Sequence, residues 1–191
     1  MDRVKKQGHR LLVGTIGTIC FMLLLIHPVH GQTEGAEEPV PSYSGNATIG
    51  QLINAPARQF GQSRASVIRA LQKPLHIATV EFPNIHNPNV MDRIYKLVYT
   101  GLEVEIYEAP QTGMEFLWSV VLTRDMPHIT DGIRMGDTPE TIEGVLGIPD
   151  EETTDIYTYR YGESDNSGTD TLTFTFEKGS LVEICWEYFL D

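Results

Sequence analysis

A segment in the first half of the chain has the residue types of a nucleophilic serine turn. Gly61-Gln62-Ser63-Arg64-Ala65 approximates the Gly-x-Ser-x-Gly pattern, in which a sharp turn presents a serine for acyl transfer. The same residues are typical of a helix start, because serine is a preferred N-cap and glycine permits the turn before it. A related segment at 135–149 has Thr138 at the matching position. Because a helix cap explains both residues, we predict no catalytic residue here and retain a serine hydrolase using Ser63 as the lesser alternative.

Two other features have the residue types of metal ligands. His76, His86 and His128 lack the spacing of a zinc site. Residues 165–170 (DNSGTD) resemble a calcium-binding loop but lack its distal glutamate. Such residues are also common in acidic turns. We therefore predict no metal and no cofactor, and we expect the loop at 162–170 to contact a partner.

The first 31 residues are typical of a signal peptide. Four basic residues precede the apolar run Leu11–Ile26, and a small residue, Gly31, precedes Gln32. The apolar run is shorter than the roughly 20 residues that a membrane-spanning helix needs. We therefore expect cleavage between Gly31 and Gln32, no stable membrane span, and a periplasmic or secreted protein. Residues 32–47, rich in proline and glutamate, are predicted to form a flexible leader.

The chain is acidic, with 14 Lys and Arg residues against 26 Asp and Glu residues and a formal net charge of −12. Loss of the signal peptide removes four basic residues and one acidic residue, which takes the formal net charge to −15. Such a charge excludes nucleic acid as a partner and favours proteins with a basic surface. Cys185 is the only cysteine after the signal peptide, so an intramolecular disulfide is excluded there.

Two segments of fifteen residues, 60–74 and 135–149, align without a gap. Their shared positions have structural roles as a turn glycine, a capping hydroxyl, an apolar stripe and a terminating proline: Gly61 and Gly136, Ser63 and Thr138, Val67 and Ile142, Leu71 and Leu146, Pro74 and Pro149. The match predicts two copies of one helical unit.

Each predicted helix is followed by three segments with the alternating pattern of strands. These segments are 95–99, 102–107 and 116–122 in the first copy, and 157–161, 172–177 and 181–189 in the second. Turns between them predict an antiparallel meander in each copy. The sequence thus predicts an α+β fold of two tandem helix-plus-meander repeats, at 48–128 and 129–191, with the helices packed on one side of the sheet.

The second copy resembles the small SmpA/OmlA (BamE-type) outer-membrane assembly lipoproteins. The likeness lies in the turn Gly136–Thr138, the helix end Leu146–Pro149 and the aromatic strand Tyr157–Tyr161. Two such units in tandem are similar to the fold of β-lactamase inhibitor proteins, a duplicated helix-plus-sheet module with a concave sheet face. The resemblance covers about residues 58–190 and implies an exported scaffold that works by contact. The chain departs from the lipoproteins in lacking their lipobox and in being duplicated.

Alternation along the strands separates a core face of the sheet from an open face. The predicted core set is Leu102, Val104 and Ile106 with Val182, Ile184, Trp186 and Tyr188. The opposite set is Glu103, Glu105 and Tyr107 with Glu183, Cys185 and Glu187. An open acidic face is either a plain solvated surface or an interaction surface. Tyr157, Tyr159 and Tyr161 are either core residues or interface anchors, and we expect at least one of them in the core.

These features predict an exported, non-enzymatic protein-binding module: an inhibitor, an immunity protein or an envelope-assembly factor. We expect it to contact a basic partner through the open face and the 162–170 loop. The predicted contact residues are Glu103, Glu105, Tyr107, Glu163, Asp165, Asp170, Glu183 and Glu187. The alternative in another class is a structural component of an envelope complex.

Overall fold

The computed structural model describes residues 48–162 and 168–189. It begins with three short helices, α1 (Ile49–Ile53), α2 (Ala55–Phe60) and α3 (Arg64–Leu71). Thr48 caps α1 through a capping box, and Pro56 lies in the first turn of α2, where proline is tolerated. Helices α1 and α2 were not predicted from the sequence.

The strands form two antiparallel meanders. The first contains β1 (His76–Pro83), β2 (Met91–Tyr99), β3 (Leu102–Ala109) and β4 (Met114–Leu122). Helices α4 (Pro127–Thr130) and α5 (Pro139–Leu146) follow it, and the second meander contains β5 (Glu151–Glu152), β6 (Ile156–Tyr161), β7 (Asp170–Glu177) and β8 (Ser180–Glu187). Strand β4 pairs with β8, which produces one eight-stranded sheet in the order β1-β2-β3-β4-β8-β7-β6-β5.

The structure therefore has helices and an antiparallel sheet, as predicted, but the described residues form four strands in each meander rather than three. Strand β1 gave no alternating signal because it is an edge strand with exposed residues on both faces, including Ile77 and Val80. Strand β5 has only two residues, too few to produce a pattern.

One face of the sheet carries the core, and the helices contact that face. Leu102, Val104 and Ile106 are fully buried, as predicted. The indole Nε1 of Trp186 donates to the carbonyl oxygen of Leu52 in α1, at 3.1 Å. Further contacts join the same face to α3 and α5: the Arg64 guanidinium lies 4.0 Å from the ring centre of Tyr95, and the hydroxyl of Tyr159 donates to the carbonyl oxygen of Gly147.

The predicted core set of β8 is wrong at Val182. Leu181 is the buried residue, with 1% of its surface exposed, and Val182 is only half-buried. The pairing of β7 with β8 shifts register after Thr175, and such a bulge moves the following residues by one position. In β6, Tyr157 and Tyr159 are buried and Tyr161 is exposed, so the expectation of at least one core tyrosine is confirmed.

The two predicted helix caps are confirmed. The Ser63 hydroxyl accepts a hydrogen bond from the backbone N–H of Ser66 at 3.2 Å, and the Thr138 hydroxyl accepts one from that of Thr141 at 3.4 Å. In the part of the chain that the structure describes, no helix has both the length and the apolar character needed to cross a membrane.

Candidate protein-interaction surface

The face of the sheet opposite the core carries the predicted acidic residues. Strand register aligns one row across it: Lys96, Glu105, Ser119, Glu187, Thr171 and Arg160. The neighbouring row contains Val98, Glu103, Val121, Cys185, Thr173 and Thr158. Residues directly opposite each other in neighbouring strands share a face, so Glu103, Glu105, Glu183 and Glu187 lie on the same side of the sheet. We call these four residues the acidic stripe.

The two carboxylates of the stripe on β3 have a cation beside them. Lys96 on β2 forms ion pairs with both Glu103 and Glu105; its Nζ lies 3.8 Å from Oε1 of Glu105. The hydroxyl of Ser119 donates to Glu105 at 3.1 Å. The hydrogen bond to Glu103 is the largest cause of the raised pKa of Lys96. The negative charge of β3 is therefore partly compensated within the protein.

The two carboxylates of the stripe on β8 have no such cation beside them in the described part of the chain. Within residues 48–162 and 168–189, neither Glu183 nor Glu187 forms an ion pair. The hydroxyl of Thr171 donates to Glu187 at 3.1 Å. Glu183 and Glu103 both line a shallow cleft of about 220 Å³ at one end of the stripe. The β8 carboxylates are therefore the part of the stripe whose charge remains available to a partner.

Cys185 lies between Glu183 and Glu187 on β8 and is half-buried. Burial is the main cause that raises the pKa of its thiol to about 12, and Glu187 and Glu183 add to the shift. Because the thiolate is the nucleophilic form of cysteine, a thiol with this pKa is unreactive at neutral pH.

An aromatic cluster lies next to the acidic stripe on the open face. It consists of Phe82, Tyr107, Phe116 and Trp118. Tyr107 is its centre, with its ring 6.0 Å from that of Trp118 in a stacked arrangement. Trp118 lies at a register shift between β3 and β4, and 37% of its surface is exposed. Aromatic side chains of this kind are enriched in protein interfaces.

The hydroxyl of Tyr107 is bound inside the protein. It donates to Oδ2 of Asp92 at 2.5 Å, and the Asn84 side-chain amide donates to the same oxygen at 2.7 Å. Asp92 is 1% exposed, and its Oδ1 has no hydrogen-bond partner in the described part of the chain. Burial, followed by Asp92, raises the pKa of Tyr107 to about 12. Because the hydroxyl of Tyr107 is bound to Asp92, it is the ring of this predicted contact residue that is available to a partner.

The predicted contact loop is only partly described. Glu163 and Asp165 lie outside the described residues. Asp170 is not a loop residue, because it begins β7 and pairs with Tyr161 of β6. Its Oδ1 accepts a hydrogen bond from the backbone N–H of Phe189 at 3.0 Å. We therefore assign Asp170 a positioning role for Phe189.

Neither Phe189, Trp118 nor Lys96 was predicted as part of the site. Trp118 lies at the break in the alternation of β4, and Phe189 follows the end of β8, so neither has a face that can be inferred from a period of two. Lys96 alternates regularly, but its role depends on the register between β2 and β3. The short turn at 100–101 is the sequence feature from which the register between β2 and β3 could have been predicted.

Ser63, the candidate nucleophile, has the contacts of a helix cap. Ser63 forms a reciprocal capping box with Ser66, whose hydroxyl donates to the carbonyl oxygen of Ser63 at 2.7 Å. Among the described residues, no group of three His, Cys, Asp or Glu side chains could hold a metal ion. The chain matches no protein-family model, no curated protein and no solved structure.

Proposed function

We propose that the chain is an exported, non-enzymatic protein-binding module that contacts a basic partner through the open face of its sheet. The observation that carries the proposal is the pair of β8 carboxylates, Glu183 and Glu187, which have no ion pair within the described residues. Glu187 lines the same cleft as the exposed ring of Trp118. Carboxylates next to aromatic side chains suit a surface that binds cationic groups.

The charge of the whole chain supports the same assignment. Its formal net charge is −12, so it attracts basic proteins over several ångströms of solution before contact is made. Such attraction is weakened by salt, because the Debye length falls from about 10 Å at 0.1 M to about 3 Å at 1 M ionic strength. An inhibitor, an immunity protein or an envelope-assembly factor is the class of function that fits a surface of this kind.

The proposal includes export and a duplicated fold. Residues 1–31 are taken as a signal peptide and 32–47 as a leader, which makes the protein periplasmic or secreted. Duplication, with a sheet like that of β-lactamase inhibitor proteins, is supported by the sheet order, in which the last strand of each meander meets the other at the centre. It is also supported by the two eight-residue helices, α3 and α5, each preceded by a glycine of positive φ and a capping hydroxyl.

The test is an affinity purification with a matched pair of charge reversals. The full-length gene, with a C-terminal tag, is expressed in its own host, and the envelope fraction is washed with rising salt. We expect a basic protein to be retained by the unaltered chain and released by salt. The double variant Glu183→Lys/Glu187→Lys should weaken its binding at least tenfold, about 1.4 kcal/mol.

The control is Glu140→Lys/Glu143→Lys on α5, which changes the net charge equally but lies on the helical side. We expect this variant to retain most of the binding. Equal loss in both variants would assign the effect to net charge alone and overturn the acidic stripe as the site. Retention that responds neither to salt nor to the β8 reversal would contradict the proposed function.

A further inference from the structure

A cleft of about 260 Å³ opens on the open face next to β4, β7 and β8. It is lined by Trp118, Thr169, Thr171, Glu187, Tyr188 and Phe189. Two of these residues are large aromatic side chains with unusual exposure, 37% for Trp118 and 52% for Phe189. The cleft therefore combines aromatic walls with one carboxylate, that of Glu187.

The wall formed by Phe189 is held by specific contacts. A Cβ atom on Gly168 would lie 1.8 Å from Cδ1 of the Phe189 ring, so the ring packs where only glycine leaves room. The backbone N–H of Phe189 donates to Asp170, and that of Tyr188 donates to the carbonyl oxygen of Trp118 at 3.0 Å. These contacts fix the segment that carries Phe189 beside the strand that carries Trp118.

The wall formed by Trp118 is supported from the aromatic cluster. Its ring stacks on Tyr107 at a centre-to-centre distance of 6.0 Å and an interplanar angle of 26°. Tyr107 is in turn held by its hydrogen bond to the buried Asp92. Trp118 thus stacks on Tyr107 and contributes to the lining of the cleft.

The charge of the cleft selects its occupant. Glu187 accepts a hydrogen bond from Thr171 but forms no ion pair in the described part of the chain. An apolar occupant would bury the charge of this carboxylate without a compensating cation, which is costly, and an anion would be repelled. A guanidinium group satisfies both parts of the cleft, because it stacks on aromatic rings and donates paired hydrogen bonds to a carboxylate.

We propose that this cleft is the subsite for an arginine side chain of the protein partner, held between Trp118 and Phe189 and bound by the Glu187 carboxylate. This inference rests on the proposed function and names the chemical group that the open face recognises. A lysine ammonium group fits less well, because it is a point charge without a planar face to stack.

The test uses a small probe, so that it does not depend on the identity of the partner. The full chain, labelled with ¹⁵N, is titrated with N-acetyl-arginine amide, and the indole N–H signal of Trp118 is followed by nuclear magnetic resonance. Trp118→Phe identifies that signal, and the buried indole of Trp186 is the internal reference. We expect a saturable shift of the Trp118 signal, with a dissociation constant in the millimolar range, and no saturable shift with the neutral analogue N-acetyl-citrulline amide.

Matched variants locate the binding group. Glu187→Gln and Phe189→Ala should each weaken binding of the arginine amide at least fivefold, and Glu183→Gln should weaken it less than twofold. Glu183 is the matched control because it lies on the same strand and face but does not line this cleft. An equal effect of Glu183→Gln and Glu187→Gln, or equal affinity for the arginine, lysine and citrulline amides, would overturn the subsite.

Different experimental outcomes would overturn the arginine subsite and the proposed function. Absence of a saturable arginine shift, combined with salt-sensitive capture of a basic protein that needs the β8 carboxylates, would overturn the arginine subsite and leave the proposed function standing. A selective arginine shift in a chain that captures no basic protein would overturn the proposed partner class, while the cleft would remain a guanidinium site.

Discussion

Strands β3 and β8 each place two glutamates on the open face, yet their surroundings differ. On β3, Glu103 and Glu105 share the ammonium group of Lys96. On β8, Glu183 and Glu187 have no ion pair in the described residues, and the side chain between them is the half-buried Cys185. Two pairs of carboxylates that look alike in the sequence therefore have different electrostatic environments.

The difference teaches that residue type and face are insufficient to identify an interaction residue. A carboxylate with an internal cation loses that contact, or shares it, when a partner's cation approaches, so its net contribution to binding is small. A carboxylate without one contributes its full attraction. We therefore expect β8 and the cleft beside it to dominate binding, and β3 with its aromatic neighbours to contribute mainly shape and stability.

The largest expected effect concerns Cys185, whose thiol pKa reflects its burial and, after that, the negative charge on β8. Its thiol pKa of about 12 means that little thiolate exists at pH 8, so alkylation by iodoacetamide should be at least about a hundredfold slower in the folded chain than in the unfolded chain. The rate should rise with pH towards that value. Mass spectrometry of the Cys185 peptide measures the rate free of interference from Cys20.

The carboxylates on β8 also protect the Cys185 thiol from alkylation, as a second cause after its burial. Neutralising variants, Glu183→Gln and Glu187→Gln, should each speed alkylation a few-fold. Since the folded chain holds the thiol proton more tightly than the unfolded chain, the free energy of unfolding should fall as the pH rises above the ordinary thiol pKa of about 8.5. Equal alkylation rates in folded and unfolded chains would contradict the environment assigned to β8.

The second prediction compares two hydrogen bonds that a hydroxyl group donates to a carboxylate. One is donated by Tyr107 on β3, and the other is accepted by Glu187 on β8. Tyr107→Phe removes a hydrogen bond to Asp92, which is buried and whose Oδ1 has no hydrogen-bond partner among the described residues. We expect a loss of about 1–3 kcal/mol in the free energy of unfolding. Thr171→Val removes the hydrogen bond to the exposed Glu187 and should cost less than about 0.5 kcal/mol. Denaturant titration measures both, and equal losses would remove the distinction between the two sides.

The position of the acidic stripe could be predicted from the sequence because strand side chains alternate with a period of two. Glu103 and Glu105 follow directly from the buried Leu102, Val104 and Ile106. On β8, alternation predicts the correct face for Glu183 and Glu187 but misplaces Val182, because the bulge comes just before Glu183 in the chain. The polar face could thus be inferred from residue pattern alone.

The environment of each carboxylate could not be predicted in this way. The proximity of Lys96 to Glu105 depends on which residues of β2 and β3 are opposite each other. Asp92 has the sequence appearance of a solvated charge, but the packing of Tyr107 and Asn84 buries it. The cleft depends on the close approach of Phe189 to Gly168, residues that lie twenty-one positions apart. Each of these contacts depends on register or on tertiary packing, which alternation does not encode.

The smallest effect should come from making β3 resemble β8. Lys96→Gln leaves Glu103 and Glu105 without their cation, and because these ion pairs are exposed, the free energy of unfolding should fall by less than about 1 kcal/mol. Affinity for the basic partner should nevertheless rise, by roughly two- to fivefold, because two more carboxylates become available. Arg160→Gln is the matched control: it removes the same charge from the same row of the sheet, but Arg160 pairs with Glu151 at the far edge. If both variants raise the affinity equally, net charge governs binding; a rise confined to Lys96→Gln places the partner's cations on the acidic stripe.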